Sequence, residues 1–194
     1  MDNKSRNLTK SEAFDRMYRM PITFWGDVRI PRELKELAEN NKSKTIIELG
    51  CGIGRFTRFM ALQGLIATGI DFSNVAIAKA QQRSSRDGKK ADYRVGDVTD
   101  LKIDDDSFDV SFDIGCFHCL DESEQKKYVS ELHRILKPEG RHLLWVMDVA
   151  PPPNRIHLTT DLVQQVFSAG FKLVKVMASR RRIVKSHWFW FKRI

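Results

Sequence analysis

Apolar positions along this chain alternate between two spacings. Short, mostly apolar runs recur at 44–49 (KTIIEL), 65–70 (LIATGI), 91–95 (ADYRV), 108–112 (FDVSF) and 141–148 (RHLLWVMD). Their length and branched or aromatic content predict five strands. Between them the apolar residues recur at helical spacing. Residues 55–64 form a helix closed by Gly64, residues 73–86 one entered at Ser73, and residues 121–136 one that turns Tyr128, Val129, Leu132, Ile135 and Leu136 inward. An earlier helix opens at Pro31, which suits a first helical turn, and buries Leu34, Leu37 and Ala38. Strands separated by helices of this length imply parallel βαβ units.

The end of the chain breaks the alternation. A helix near 159–169 leads into an apolar run at 171–178, the polar stretch SRRR, and a second apolar run at 183–194. Two such runs about a short polar turn read as an antiparallel hairpin. The expected fold is therefore α/β, a doubly wound Rossmann-like sheet, mostly parallel and closed by a C-terminal antiparallel hairpin. Ordinary nucleotide-binding Rossmann domains lack that hairpin. Residues 1–30 are polar overall but carry Phe14, Met17, Tyr18, Met20, Ile22, Phe24 and Trp25, too many for a free tail. About nine loop residues separate the fifth strand from the next helix, leaving no room for an inserted cap. The division expected is a lid segment at 1–30 and one domain at 31–194.

Composition narrows the class. A chain of 194 residues, 42% hydrophobic and 30% charged, fits one soluble domain with an adequate core. No stretch reaches the roughly 18 apolar residues of a membrane span, and the N-terminus has no secretory apolar core. No membrane partner is expected. Cys51, Cys116 and Cys119 are too few and too clustered for a disulfide framework, so a reducing, cytoplasmic setting is expected. The net charge of +8 arises wholly after residue 136, where 11 Lys or Arg face 3 acids. Arg180, Arg181 and Arg182 stand in a row there. Such a region attracts nucleic acid, anionic lipid or an acidic substrate, or it is only a solvated turn. The sequence sets no oligomeric state.

The strongest chemical signal is Glu48-Leu49-Gly50-Cys51-Gly52-Ile53-Gly54, between the first strand and its helix. Glycines let the backbone turn tightly and approach a ligand, and the helix N-terminus beyond offers unpaired N–H groups. Alone, such a loop is equally well a tight strand-to-helix turn. Asp71 follows Gly50 by 21 residues, at the end of the second strand. A carboxylate there can accept both hydroxyls of an adenosine ribose. Gly96-Asp97-Val98 follows the third strand, where Asp97 can accept an adenine amino group and the Val98 N–H can serve a ring nitrogen. Either acid alone could be a cap; both at the ends of successive strands are hard to explain that way.

ELGCGIGR, Asp71, GDVTDL (96–101), FDVSFD (108–113) and LKPEG (136–140) together resemble, in order and spacing, the class I S-adenosylmethionine (SAM)-dependent methyltransferases. The resemblance spans residues 44–148. It implies a cofactor, S-adenosyl-L-methionine, held by Glu48, Gly50, Cys51, Gly52, Asp71, Phe72, Asp97, Val98 and Asp113. Gly50 and Gly52 would line its methionine part, Asp71 its ribose, and Phe72, Asp97 and Val98 its adenine, with Asp113 facing the sulfonium. A nicotinamide dinucleotide fingerprint needs a small third residue, but Arg55 or Thr57 stands there. Residues 24–40, the stretch DIGCFHCL (113–120) and the closing WFWF are similar to the thiopurine, halide and tellurite methyltransferases, which would place Trp25 over the cofactor. Gly26-Asp27-Val28 departs from that branch's wording.

Cys116-Phe117-His118-Cys119 invites a metal reading, but a tetrahedral site needs a further ligand pair and Cys51 is the only other thiol. The two cysteines read better as small apolar fillers, and no metal is expected. His118 is the best-placed titratable residue, as a general base, an orienting group or simply a hydrogen-bonded loop histidine. Amino methyltransferases of nucleobases carry an Asn/Asp-Pro-Pro-aromatic motif after the fourth strand, where this chain has Asp113-Ile114-Gly115-Cys116. That difference favours a small-molecule acceptor. The alternatives are an RNA-directed enzyme using the basic C-terminal region and a non-catalytic SAM-binding module.

Overall fold

The chain's computed structural model describes residues 9–20, 29–86, 91–149, 157–181 and 184–194. Each predicted strand and helix has a counterpart there. The first strand is β1 (Thr45–Leu49), followed by β2 (Ile66–Asp71), β3 (Asp92–Val95), β4 (Phe108–Ile114), β5 (Leu136–Met147), β6 (Phe171–Arg181) and β7 (Val184–Arg193). They form one sheet in the order β3-β2-β1-β4-β5-β7-β6, parallel except for β7, which runs antiparallel to both neighbours. The strand order reverses between β1 and β4, and that switch opens a crevice at the carboxyl ends of the strands.

Period-two alternation buries both faces of the sheet. Ile46, Phe112, Leu143, Trp145 and Trp188 pack with Leu34, Leu37 and Met60 from α2 (Arg32–Glu39) and α3 (Arg55–Leu62). Ile47, Leu49, Leu144, Val146, Phe189 and Phe191 pack on the other side with α5 (Glu122–Ile135) and α6 (Thr160–Phe167). The remaining helices, α1 (Lys10–Arg19) and α4 (Asn74–Ser84), pack on one another. Among the described residues no helix is long and apolar enough to cross a membrane.

Three boundaries differ from expectation. α5 runs directly into β5, so that strand begins at Leu136, paired with Phe108, and a register shift lets Glu139 take a φ of 66° before Arg141 pairs with Val110. Ser179, Arg180 and Arg181 belong to β6 rather than to a turn, because ladder pairing continues to Arg181↔Val184. Arg182 lies outside the described residues. The N-terminal segment contains α1, whose capping box joins Thr9 and Glu12 reciprocally.

Candidate active site

The glycine-rich loop leaves β1 at Leu49 and reaches α3 through Gly50, Gly52 and Gly54, all at positive φ. None of the three has room for a side chain. A Cβ on Gly50 would lie 2.4 Å from Cys116 Cβ, and one on Gly52 would lie 2.8 Å from the Tyr18 hydroxyl. The loop is tied to the second strand. Gly52 N–H donates to Asp71 Oδ2 at 2.8 Å, Ser73 N–H donates to Asp71 Oδ1 at 2.9 Å, and Cys51 N–H donates to the Ile70 carbonyl. Burial raises the Asp71 carboxyl above its usual range against the pull of those two N–H groups.

Two further acids sit beneath the crevice. Glu48 is 2% exposed and accepts the Thr57 N–H at 2.7 Å and the Thr57 hydroxyl, so it fixes the first turn of α3. Burial pushes it up to about 8. Asp113 is fully buried and accepts the N–H groups of Cys116 and Phe117 and the Tyr128 hydroxyl at 2.8–2.9 Å. Burial raises it to about 7. The bend after β4 and Tyr128 of α5 draw this carboxylate inward, where it shapes the loop carrying His118.

The residues expected to meet adenine lie on other elements. Phe72 is half-buried, and its ring lies 5.2 Å from that of Phe14 on α1. Val98 is buried, while Asp97 is exposed and accepts the N–H and hydroxyl of Thr99 at 2.8 Å. Trp25 lies outside the described residues. Residues that the sequence reading passed over complete the wall. The Ser11 hydroxyl donates to the Phe72 carbonyl, the Ser73 hydroxyl donates to Asp15, and the Lys79 ammonium donates to the Tyr18 carbonyl. The Thr9-to-Glu12 capping signature and the Phe14–Tyr18 spacing could have revealed α1 in advance.

His118 sits in a 3₁₀ turn (Phe117–Cys119) and is 4% exposed. Its Nδ1 accepts the Met147 N–H at 3.4 Å, and its ring stands edge-on to Trp145 at 5.8 Å. Burial lowers it to about 4, so the imidazole is neutral, with its proton on Nε2. Cys116 packs against Gly50, and the Cys119 thiol donates to the Gly115 carbonyl. Burial raises both thiols, which keeps them protonated.

Among these groups, Asp71 and the glycine loop are the ones that could hold an adenosine. Asp71 keeps lone pairs beyond those given to Gly52 and Ser73. At Gly50 and Gly52 the space that a Cβ would take is filled by Cys116 and by the Tyr18 hydroxyl, so these glycines let the loop pack closely on the turn after β4 and on α1.

Comparison with known proteins agrees with that geometry. A family model described as a methyltransferase domain matches residues 46–140. A phosphoethanolamine N-methyltransferase of Triticum aestivum is 32% identical over 110 residues, covering 56% of this chain and 22% of that protein. An uncharacterized methyltransferase of Schizosaccharomyces pombe is 32% identical over 103 residues, covering 53% of this chain and 68% of that protein. Among solved structures, the N-methyltransferase NodS of Bradyrhizobium japonicum in complex with S-adenosyl-L-homocysteine superposes with a TM-score of 0.78. Its identity is 17%, and the match covers 94% of this chain and 97% of that one.

Proposed function

The chain belongs to the class I SAM-dependent methyltransferases, and we propose that it methylates a small-molecule acceptor by in-line displacement at the carboxyl edge of the sheet. The observation that carries this reading is the union of the glycine loop with Asp71 through the Gly52 N–H at 2.8 Å. SAM supplies a methyl group already activated on a sulfonium, so the chain's own task is chiefly alignment and exclusion of water.

Each side chain then has a defined task. Asp71 accepts the ribose hydroxyls, Phe72 covers the adenine, and Asp97 with the Val98 N–H reads its edge. The Gly50–Gly52 loop lines the methionine part with its backbone, and Glu48 holds the start of α3 through Thr57. Asp113 positions the loop behind Cys116 and Phe117. α1 and the rest of residues 1–30, with Trp25, form the lid. His118 meets the acceptor. With Nδ1 occupied by the Met147 N–H, its Nε2–H is a donor, which suits orienting an acceptor lone pair better than removing a proton.

The small-molecule reading draws support from the Triticum aestivum relative, whose name places it on phosphoethanolamine. The experiment is a panel of thiols, halides, phenols, amines and RNA with radiolabelled SAM. Label transfer to a small acceptor is the expected result. Transfer confined to RNA would displace this reading in favour of a nucleic-acid enzyme.

A further inference from the structure

Residues 96–107, between β3 and β4, lie outside any helix or strand. This segment begins with the residues expected to meet adenine, so its conformation decides what Asp97 and Val98 can reach. Residues 97–100 form a tight turn. Asp100 N–H donates to the Asp97 carbonyl at 3.1 Å, and Asp97 Oδ1 accepts the N–H and the hydroxyl of Thr99. Asp97 Oδ2 and the Val98 N–H have no partner among the described residues. One end of the turn is tied to the sheet, where Gly96 N–H donates to the Asp71 carbonyl at 3.0 Å.

The other end is held by α5. Leu101 N–H donates to Glu131 Oε2 at 2.7 Å, and the Leu101 carbonyl accepts from Arg134 Nη2 at 2.9 Å. The same guanidinium donates through Nη1 to the Ile103 carbonyl at 2.6 Å and to Asp105 at 2.8 Å. Its Nε and Nη2 also meet the two oxygens of Glu131, at 3.0 and 2.8 Å. Backbone groups without ladder partners have to be satisfied elsewhere, and here one planar fork serves two carbonyls and two carboxylates. An ion pair three residues apart on a helix contributes little by itself. This one does more, because it clamps both backbone groups of Leu101. Leu101 and Val98 are buried in one cluster with Leu132 and Ile135 of α5. Any play at Leu101 therefore passes to the turn three residues earlier.

We propose that Arg134 and Glu131 are positioning residues for cofactor selection, fixing the 97–101 turn so that Asp97 Oδ2 and the Val98 N–H together recognise adenine. Adenine presents an amino donor beside a ring-nitrogen acceptor, which matches that pair. Hypoxanthine presents a carbonyl beside a ring N–H, so it opposes like with like at both positions and leaves both protein groups unpaired. A turn free to shift would lose this discrimination before it lost the rest of the cofactor. The inference rests on adenine lying at Asp97, as in the function proposed above.

The test compares S-adenosyl-L-homocysteine with S-inosyl-L-homocysteine by calorimetry on the full chain. Wild type should prefer the adenosyl form by about tenfold or more. Asp97→Ala should abolish that preference, which marks the adenine contact itself. Arg134→Met keeps an aliphatic stem but loses the fork. It should bind the adenosyl form about tenfold more weakly, with affinity for the inosyl form within about twofold of wild type. Arg134→Lys offers one point charge where the fork served four groups, so its preference should fall between those of Arg134→Met and wild type. It also carries the test where Arg134→Met does not fold. Equal weakening of both ligands by the Arg134 variants would make the brace structural only and overturn the inference. An undiminished preference for the adenosyl form would overturn it as well. A wild type without preference, or a preference that survives Asp97→Ala, would instead undo the placement of adenine on which the inference rests.

Discussion

Gly52 and Asp71 are joined by a 2.8 Å hydrogen bond from the glycine N–H to carboxylate Oδ2. The glycine loop and the acid proposed to hold the ribose are therefore tied into one unit.

Replacing Asp71 should cost more than a ribose contact. Asp71→Ala strips charge-assisted bonds from a buried site and frees both the Gly52 and Ser73 amides. SAM affinity should fall by about 2–5 kcal/mol. Isothermal calorimetry reads this directly, and affinity equal to wild type would move the ribose elsewhere.

Glu48 and His118 pull stability in opposite directions with pH. Folded Glu48 keeps its proton up to about 8, against a usual value near 4.5. Its contribution is full below about pH 4.5 and is lost as pH rises toward 8. Folded His118 gives up its proton near 4 rather than 6.5, so its contribution is full above 6.5 and is lost as pH falls toward 4. Glu48→Gln keeps an oxygen for Thr57 but cannot ionise. Its stability relative to wild type should rise by about 1–3 kcal/mol between pH 5 and pH 8. Urea unfolding at both pH values measures it. A difference independent of pH means that Glu48 is already ionised in the folded protein.

Tyr128 should matter through the loop it anchors. Its hydroxyl donates to Asp113 Oδ2 at 2.9 Å, beside the bond from the Phe117 N–H. Tyr128→Phe leaves the ring in place and removes one donor from a buried carboxylate, at about 1–3 kcal/mol. Amides of Cys116 and Phe117 should exchange faster while SAM affinity stays within a few-fold. If their exchange is unchanged, Tyr128 is core filling alone.

How far the sequence could be read depended on the range of the interactions involved. Strand and helix positions rest on local periodicity, and Ser73 and Asp121 mark helix starts through their own side chains. The glycine loop and Asp71 are likewise written in spacing. The bond that Asp113 accepts from Tyr128, fifteen residues away on another element, is not written in any local spacing. The SRRR stretch looked like a turn because charge suggests solvent, yet an edge hairpin tolerates charged residues deep into its ladder. His187 drew no interest as a strand residue, and only tertiary register brought it to Asp148.

The lid is the most consequential expectation that remains to be measured. α1 has ten residues, too few to hold a helix alone in water, so it is either docked or unfolded. Its docking contacts converge on the glycine loop and the end of β2, around residues proposed to hold the cofactor: Tyr18 lies beside Gly52, Phe14 against Phe72, Ser11 on the Phe72 carbonyl and Asp15 on Ser73. Within the helix only Tyr18 is fully buried, a small apolar anchor for an element of this length. The balance between docked and open forms should therefore be close, and a cofactor seated beneath the helix should shift it by adding surface. Hydrogen exchange with SAM or its demethylated product should slow the amides from Ala13 to Arg19, leaving those of β1 and β4 unchanged. Phe14→Ala with Tyr18→Ala should lower turnover far more than the melting temperature, because lid closure completes the site while the sheet forms without it. Equal protection of α1 with and without ligand would make it a permanent part of the core, and the lid would have to be sought elsewhere in residues 1–30.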